Sequence, residues 1–122
     1  MARLRQGVQS FADGYRKMVT HWQAELRSVA EQGGASVIWG GGSKAVAFLS
    51  SVGADAQIRG AVDINPHKQG RYIAGTGHRV LAPRELEELR PDLVIAMNPV
   101  YTQEIRGEMD GLGLTETRLV AV

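Results

Sequence analysis

The segment ASVIWGGGSKAVAFLSSV spans residues 35–52, and GAVDI spans residues 60–64. Ala35 to Trp39 is a short apolar run, the mark of a strand buried on both faces. Gly40-Gly41-Gly42-Ser43 is a sharp break. Lys44 to Val52 then reads as a helix with Val46, Phe48, Leu49 and Val52 as its apolar positions. Gly60 to Ile64 reads as the next strand. The whole unit has the length of a strand–helix–strand crossover, about 30 residues. Gly40, Gly42 and Ala45 form G-x-G-x-x-A, a permitted form of the dinucleotide fingerprint. Gly40 would allow the tight turn, Gly42 would let the backbone approach a phosphate, and Ala45 would let helix and strand pack closely. Asp63 follows at about 20 residues, where an acid can take a ribose diol. Any sharp strand-to-helix turn also favours glycine, so the loop leaves ligand binding and plain turn chemistry both open. It is not a Walker A loop, because no Gly-Lys-Ser/Thr closes it. It is also a poor S-adenosylmethionine loop, since Ile38 stands two residues before Gly40, where such loops usually carry an acid.

Working outward, Asn65 to Arg79 is a long loop punctuated by Gly70, Gly75 and Gly77. It holds the cations Lys68, Arg71 and Arg79, with His67 and His78 able to join them at low pH. Val80-Leu81 reads as a short strand, and Pro83 opens a helix through about Leu89. Asp92 to Met97 is a continuous buried strand broken by Asn98-Pro99. Tyr101 to Leu112 is a helix, and Arg118 to Val122 is the last strand. Near-continuous apolar strands alternating with helices imply a parallel sheet covered on both faces. The expected fold is α/β, a Rossmann-like doubly wound parallel sheet of about five strands. The expected order is 3-2-1-4-5, with the switch point between the first and fourth strands.

A long amphipathic helix precedes this sheet. Val8, Phe11, Tyr15, Met18, Trp22 and Val29 recur at three- and four-residue steps, with Leu26 nearby, and Gly33-Gly34 ends it. Residues 1–33 are therefore read as the helix and 34–122 as the α/β domain. The stripe can pack on the domain's own sheet or serve as a connector or dimer seam. Part of the stripe, at Tyr15, Met18 and Trp22, is expected to stay exposed and to find a partner, giving a homodimer through this helix.

The chain has 122 residues, 43% hydrophobic and 22% charged, with no cysteine. That is the composition of one ordinary folded domain, and it excludes disulfides and thiol-based chemistry. Fourteen basic residues against 13 acidic ones leave a net charge of +1, too balanced for a generic nucleic-acid binder. His21, His67 and His78 are too far apart in sequence to suggest a metal motif, and no apolar run approaches the ~20 residues of a membrane span. The polar N-terminus and absence of cysteine fit a cytoplasmic protein.

Several strings together carry a resemblance. They are Trp39 to Lys44, Val62-Asp63-Ile64-Asn65-Pro66, Lys68-Gln69-Gly70-Arg71-Tyr72, Gly75-Thr76-Gly77-His78, Pro91-Asp92, and Met97-Asn98-Pro99-Val100-Tyr101 with Glu104-Ile105. The chain resembles, from about Phe11 to Val122, the C-terminal domain of sugar C-methyltransferases. Ala74 departs from the proline common at that point of the family's loop. The resemblance implies a zinc-binding N-terminal segment and a central S-adenosylmethionine methyltransferase domain ahead of this one, acting on nucleotide-linked deoxysugars. It implies no cofactor in this domain, with S-adenosylmethionine belonging to the parent enzyme. The chain is thus expected to be one domain of a longer protein or a stand-alone relative, enclosing substrate without catalysing.

A ligand in an open parallel sheet collects at the carboxyl ends of the strands, at the switch point. On the expected order the crevice is walled by Gly41, Gly42, Ser43 and Lys44 on one side and by Asn98, Pro99 and Tyr101 on the other, with Gly40 a further candidate contact. Asp63 and the loop residues Asn65, His67, Lys68, Arg71, Tyr72 and His78 are expected to close over the same edge. Each is a candidate contact for a small anionic ligand such as a nucleotide-sugar, or else a loop anchor. No residue is assigned as catalytic. The expected partners are that ligand and the central methyltransferase domain, with neither nucleic acid nor a membrane.

Overall fold

Ser36–Trp39 forms β1, and all four of its residues are buried, as a strand flanked by layers on both faces requires. The computed structural model describes residues 2–40, 42–53 and 57–122, and for residues 2–11 the backbone alone. Around β1 the elements run α1 (Ala2–Glu31), α2 (Ser43–Val52), β2 (Ile58–Val62), β3 (Val80–Leu81), a 3-10 turn (Pro83–Glu85), α3 (Leu86–Leu89), β4 (Leu93–Ala96), a second 3-10 turn (Pro99–Tyr101), α4 (Thr102–Gly111) and β5 (Arg118–Ala121). The five strands make one sheet in the order β3-β2-β1-β4-β5. Every pairing is parallel. This is the expected order, so the crossovers diverge between β1 and β4.

Alternation along the strands sends side chains to two cores. Ile38 of β1 and Leu93 and Ile95 of β4 meet Trp22, Leu26 and Val29 of α1 and Phe48, Leu49 and Val52 of α2. Val37, Trp39, Val94 and Ala96 meet Leu86 of α3 and Ile105 and Met109 of α4. Each large side chain so buried contributes roughly 1.5–3 kcal/mol. The second strand departs from the expectation. It covers 58–62 instead of 60–64, and Ile64 is 69% exposed. The strand stops because Asp63 starts a turn, its Oδ1 accepting the Asn65 N–H at 2.9 Å.

The helix ahead of the sheet meets the exposed-stripe expectation at Tyr15 and departs from it at Trp22. Trp22 is 5% exposed and packs edge-on to Phe48, with ring centroids 6.0 Å apart. Met18 is partly buried against the same core. The stripe is covered because α1 lies on the domain's own sheet and against α2. Tyr15 alone of the three stays substantially exposed, at 46%, and its hydroxyl meets Ser51 Oγ. Val8 and Phe11 lie outside the described side chains. No helix among the described residues is long and apolar enough to cross a membrane.

Candidate functional site

The chain leaves β1 through Gly40, whose φ of +118° is a conformation that side chains resist. A Cβ there would lie 3.1 Å from Met97 Cβ, so glycine also lets this turn pass close to the end of β4. Gly42, at φ +81°, caps α2, and its carbonyl accepts the Val46 N–H at 3.2 Å. The first N–H groups of α2 have no partner within the helix, and its dipole is positive at this end. Ser43 and Lys44 stand exposed beside it.

On the other side, β4 ends in Met97 and Asn98. Asn98 Oδ1 accepts the Val100 N–H at 3.1 Å and so caps the 3-10 turn that leads into α4. That turn sets Tyr101 and the first turn of α4 opposite the glycine loop. A cleft of about 600 Å³ lies between the two walls. Trp39, Val62, Met97 and Ile105 give it apolar, largely buried lining. Ser43 and Lys44 line one side, Asp63 and Ile64 a second, and Asn98, Tyr101, Glu104 and Glu108 a third. It sits at the carboxyl ends of β1, β2 and β4, the location the switch point dictates.

Of the residues singled out in the sequence, Gly40, Ser43, Lys44, Asp63, Asn98 and Tyr101 line this cleft. Gly42 is the cap beside it, and Pro99 is exposed outside the lining. Gly41 lies outside the described residues. The loop from Asn65 to His78 contributes nothing to the lining. It doubles back on itself, with Gly70 N–H on Val80 O, Val80 N–H on Arg71 O and Ile73 N–H on His78 O. Tyr72 pairs with Arg79 in an antiparallel bridge and is 71% exposed. His67 and Arg71 are exposed, and Asn65 Oδ1 accepts the His67 N–H at 3.0 Å. Lys68 Nζ stands 3.9 Å from Asp63 Oδ2, and Arg79 pairs with Glu85 at 3.1 Å. Gln69 donates to the Asp63 carbonyl at 2.8 Å. Asp63 is therefore the anchor of this loop as well as a cleft residue.

His78 is half-buried, and its Nδ1 is shut from solvent without a hydrogen-bond partner among the described residues. Burial lowers its pKa below the ordinary value of 6.5, because the charged imidazolium loses solvation.

The sequence reading missed Glu104 and Glu108 as cleft residues. They follow Tyr101 at three- and four-residue steps, which puts all three on one face of a helix. That spacing was the available signal. Only the docking of α4 shows that this face looks into the cleft.

Strand order, glycine turn and switch-point cleft define a Rossmann-like α/β domain. The C-methyltransferase C-terminal domain family matches residues 3–122, and the chain belongs to that family. Among curated proteins nothing matches. Among solved structures the chain is similar to RSP, a Rex-family repressor, with TM-score 0.51 and 19% identity over 72% of this chain and 52% of that one. It is similar also to RSP in complex with beta-NADH, with TM-score 0.50 and 18% identity over the same shares, 72% and 52%. The chain thus spans about half of those chains, and identity this low speaks to fold alone.

Proposed function

We propose that this domain encloses a nucleotide-linked sugar for the central, S-adenosylmethionine-dependent domain of a C-methyltransferase, and that it is not catalytic alone. The observation that carries this reading is a cleft open on one side with apolar residues at its mouth. Ile64 and Tyr101 line it at 69% and 51% exposure, and Val100, next to Tyr101, is 79% exposed. Exposed apolar groups at the rim of a cleft mark a surface that another body covers. The central domain closing over this rim would shut the ligand away from water.

The residues supply binding and orientation. Lys44 brings a point charge beside the amino end of α2, where a phosphate is favoured. Tyr101 offers a ring face to a base or sugar, and Trp39 gives the cleft an apolar floor. The family membership supports the methyltransferase setting. The turn after β1 is a poor seat for S-adenosylmethionine itself, since Ile38 is fully buried on the α1/α2 side, where such loops usually carry an acid. In this reading the methyl donor belongs to the central domain.

A dinucleotide is the second reading, and the G-x-G-x-x-A turn favours it. The loop contacts of Asp63 weigh against it, because the carboxylate that would take the ribose already accepts from Asn65 and faces Lys68.

Calorimetry of the chain with a thymidine-diphosphate sugar tests the proposal. Lys44→Ala is expected to weaken binding by about 1–3 kcal/mol. Lys17→Ala, an exposed change on α1, is expected to leave it unchanged. Equal affinities for the two variants would refute the assignment. So would tighter binding of NADH, or of S-adenosylmethionine at or below ~10 μM.

A further inference from the structure

The charges around the cleft are unevenly placed. Lys44 is the one cation among its described lining residues, against Asp63, Glu104 and Glu108. Asp63 is engaged by its own loop. Glu104 and Glu108 make no ion pair and no side-chain hydrogen bond among the described residues. They are four residues apart on α4, a like-charge spacing that costs helix stability. Glu104 has a local justification, because an acid in the first turn of a helix is favoured by the dipole. Glu108 is a turn further on and has none. Both carboxylates are exposed and open into a cavity whose lining includes the rings of Trp39 and Tyr101.

A carboxylate only accepts hydrogen bonds. Beside an aromatic face it therefore suits a neutral ring that donates hydroxyls, and it repels phosphate. Lys44 has the opposite preference.

We infer that the cleft is polarised: Glu104 and Glu108 on α4 hold the hydroxyl-bearing ring of the ligand, and its anionic group lies at the Lys44 wall. The inference rests on the nucleotide-sugar reading and deepens it. It gives the ligand a direction across the Trp39 floor, and it assigns the recognition of hydroxyls to α4 instead of Asp63. The cleft then discriminates between a nucleoside diphosphate and the same diphosphate bearing a sugar.

The test is calorimetry of the full chain with thymidine diphosphate and with thymidine-diphosphate glucose. The proteins are wild type, the double variant Glu104→Ala/Glu108→Ala, and Lys44→Ala. Wild type is expected to bind the sugar-bearing ligand more tightly. The double variant should weaken that ligand by about tenfold and leave the plain diphosphate equal or tighter, so that the discrimination collapses. Lys44→Ala should weaken both ligands alike. Both carboxylates are exposed, so the double variant should keep the wild-type circular dichroism and melting curve. If the double variant weakens neither ligand, or both equally, while Lys44→Ala still weakens both, the polarity is wrong and the nucleotide-sugar reading stands. If wild type binds neither ligand, both are overturned.

Discussion

Asp63 stands where an acid in such a fold can hold a ribose, yet its Oδ1 accepts the Asn65 N–H at 2.9 Å and Lys68 lies 3.9 Å from Oδ2. Residue type and position were legible in the sequence, but the partner was not, because a carboxylate serves a turn and a diol with the same lone pairs. His78 is a second case. Its place in a basic loop suggests a ligand contact, whereas the fold tucks its Nδ1 out of solvent without a partner among the described residues. A histidine whose folded pKa is lowered binds its proton more readily in the unfolded chain. Its contribution to stability is therefore full above pH 6.5 and declines as the pH falls through 6.5 to the folded value, below which it levels off. Thermal melts of wild type and His78→Gln between pH 7.5 and 5 should show a smaller loss of stability on acidification in the variant. Identical pH slopes would exclude this role.

At the scale of elements, α4 carries the cleft's third wall, packs on the sheet through Ile105 and Met109, and is tied at its far end by the Arg106 side chain. Arg106 donates from Nη1 to Thr117 O at 2.7 Å, from Nη2 to Leu114 O, and from Nε to Asp110 at 3.0 Å. It thereby ties the helix to the turn that enters β5. Arg106→Ala leaves the part-buried Thr117 carbonyl without its donor, and Leu114 O with the Thr117 N–H alone, and should cost about 1–3 kcal/mol. A urea melt reads this as a lower midpoint at unchanged slope. An unchanged midpoint would show that the surrounding packing holds the turn without Arg106. The helix pattern itself was readable at Tyr101 to Leu112, and the structure differs at the start, where Pro99–Tyr101 is a 3-10 turn before α4 begins at Thr102. The reason is local: Asn98 caps Val100 with its side chain, and the Thr102 hydroxyl donates to the Pro99 carbonyl at 2.7 Å. On α1 the apolar stripe was equally readable, but its destination was not. Periodicity says that one face is apolar, and only packing shows that Trp22 and Leu26 rest on the domain's own core.

For the whole molecule, the two cores share the central strands, so α1, the sheet and α4 should unfold together. Trp22 reports one core and Trp39 the other. In Trp22→Phe the remaining tryptophan fluorescence should melt at the same midpoint as circular dichroism, and likewise in Trp39→Phe. A fluorescence midpoint several degrees from the circular-dichroism midpoint in either variant would show that one layer opens alone. The sequence by itself determined the layered α/β class and narrowed the strand order, and with it the switch point, to a few arrangements. Apolar runs at 35–39 and 92–97, separated by helical periods, admit few unknotted parallel arrangements. It also determined the glycine turn, because a strand that turns straight into a helix needs positive φ at Gly40 and Gly42. Only the tertiary structure decided which candidates share a space. Lys44, Tyr101, Glu104 and Glu108 meet across one cleft, while the loop holding His67, Arg71 and Tyr72 is folded back on β3 and its own hairpin. Residue patterns encode periodicity and turn preference, which are local. The charge balance of a cleft depends on which faces of distant helices the sheet brings together, and no local pattern contains that.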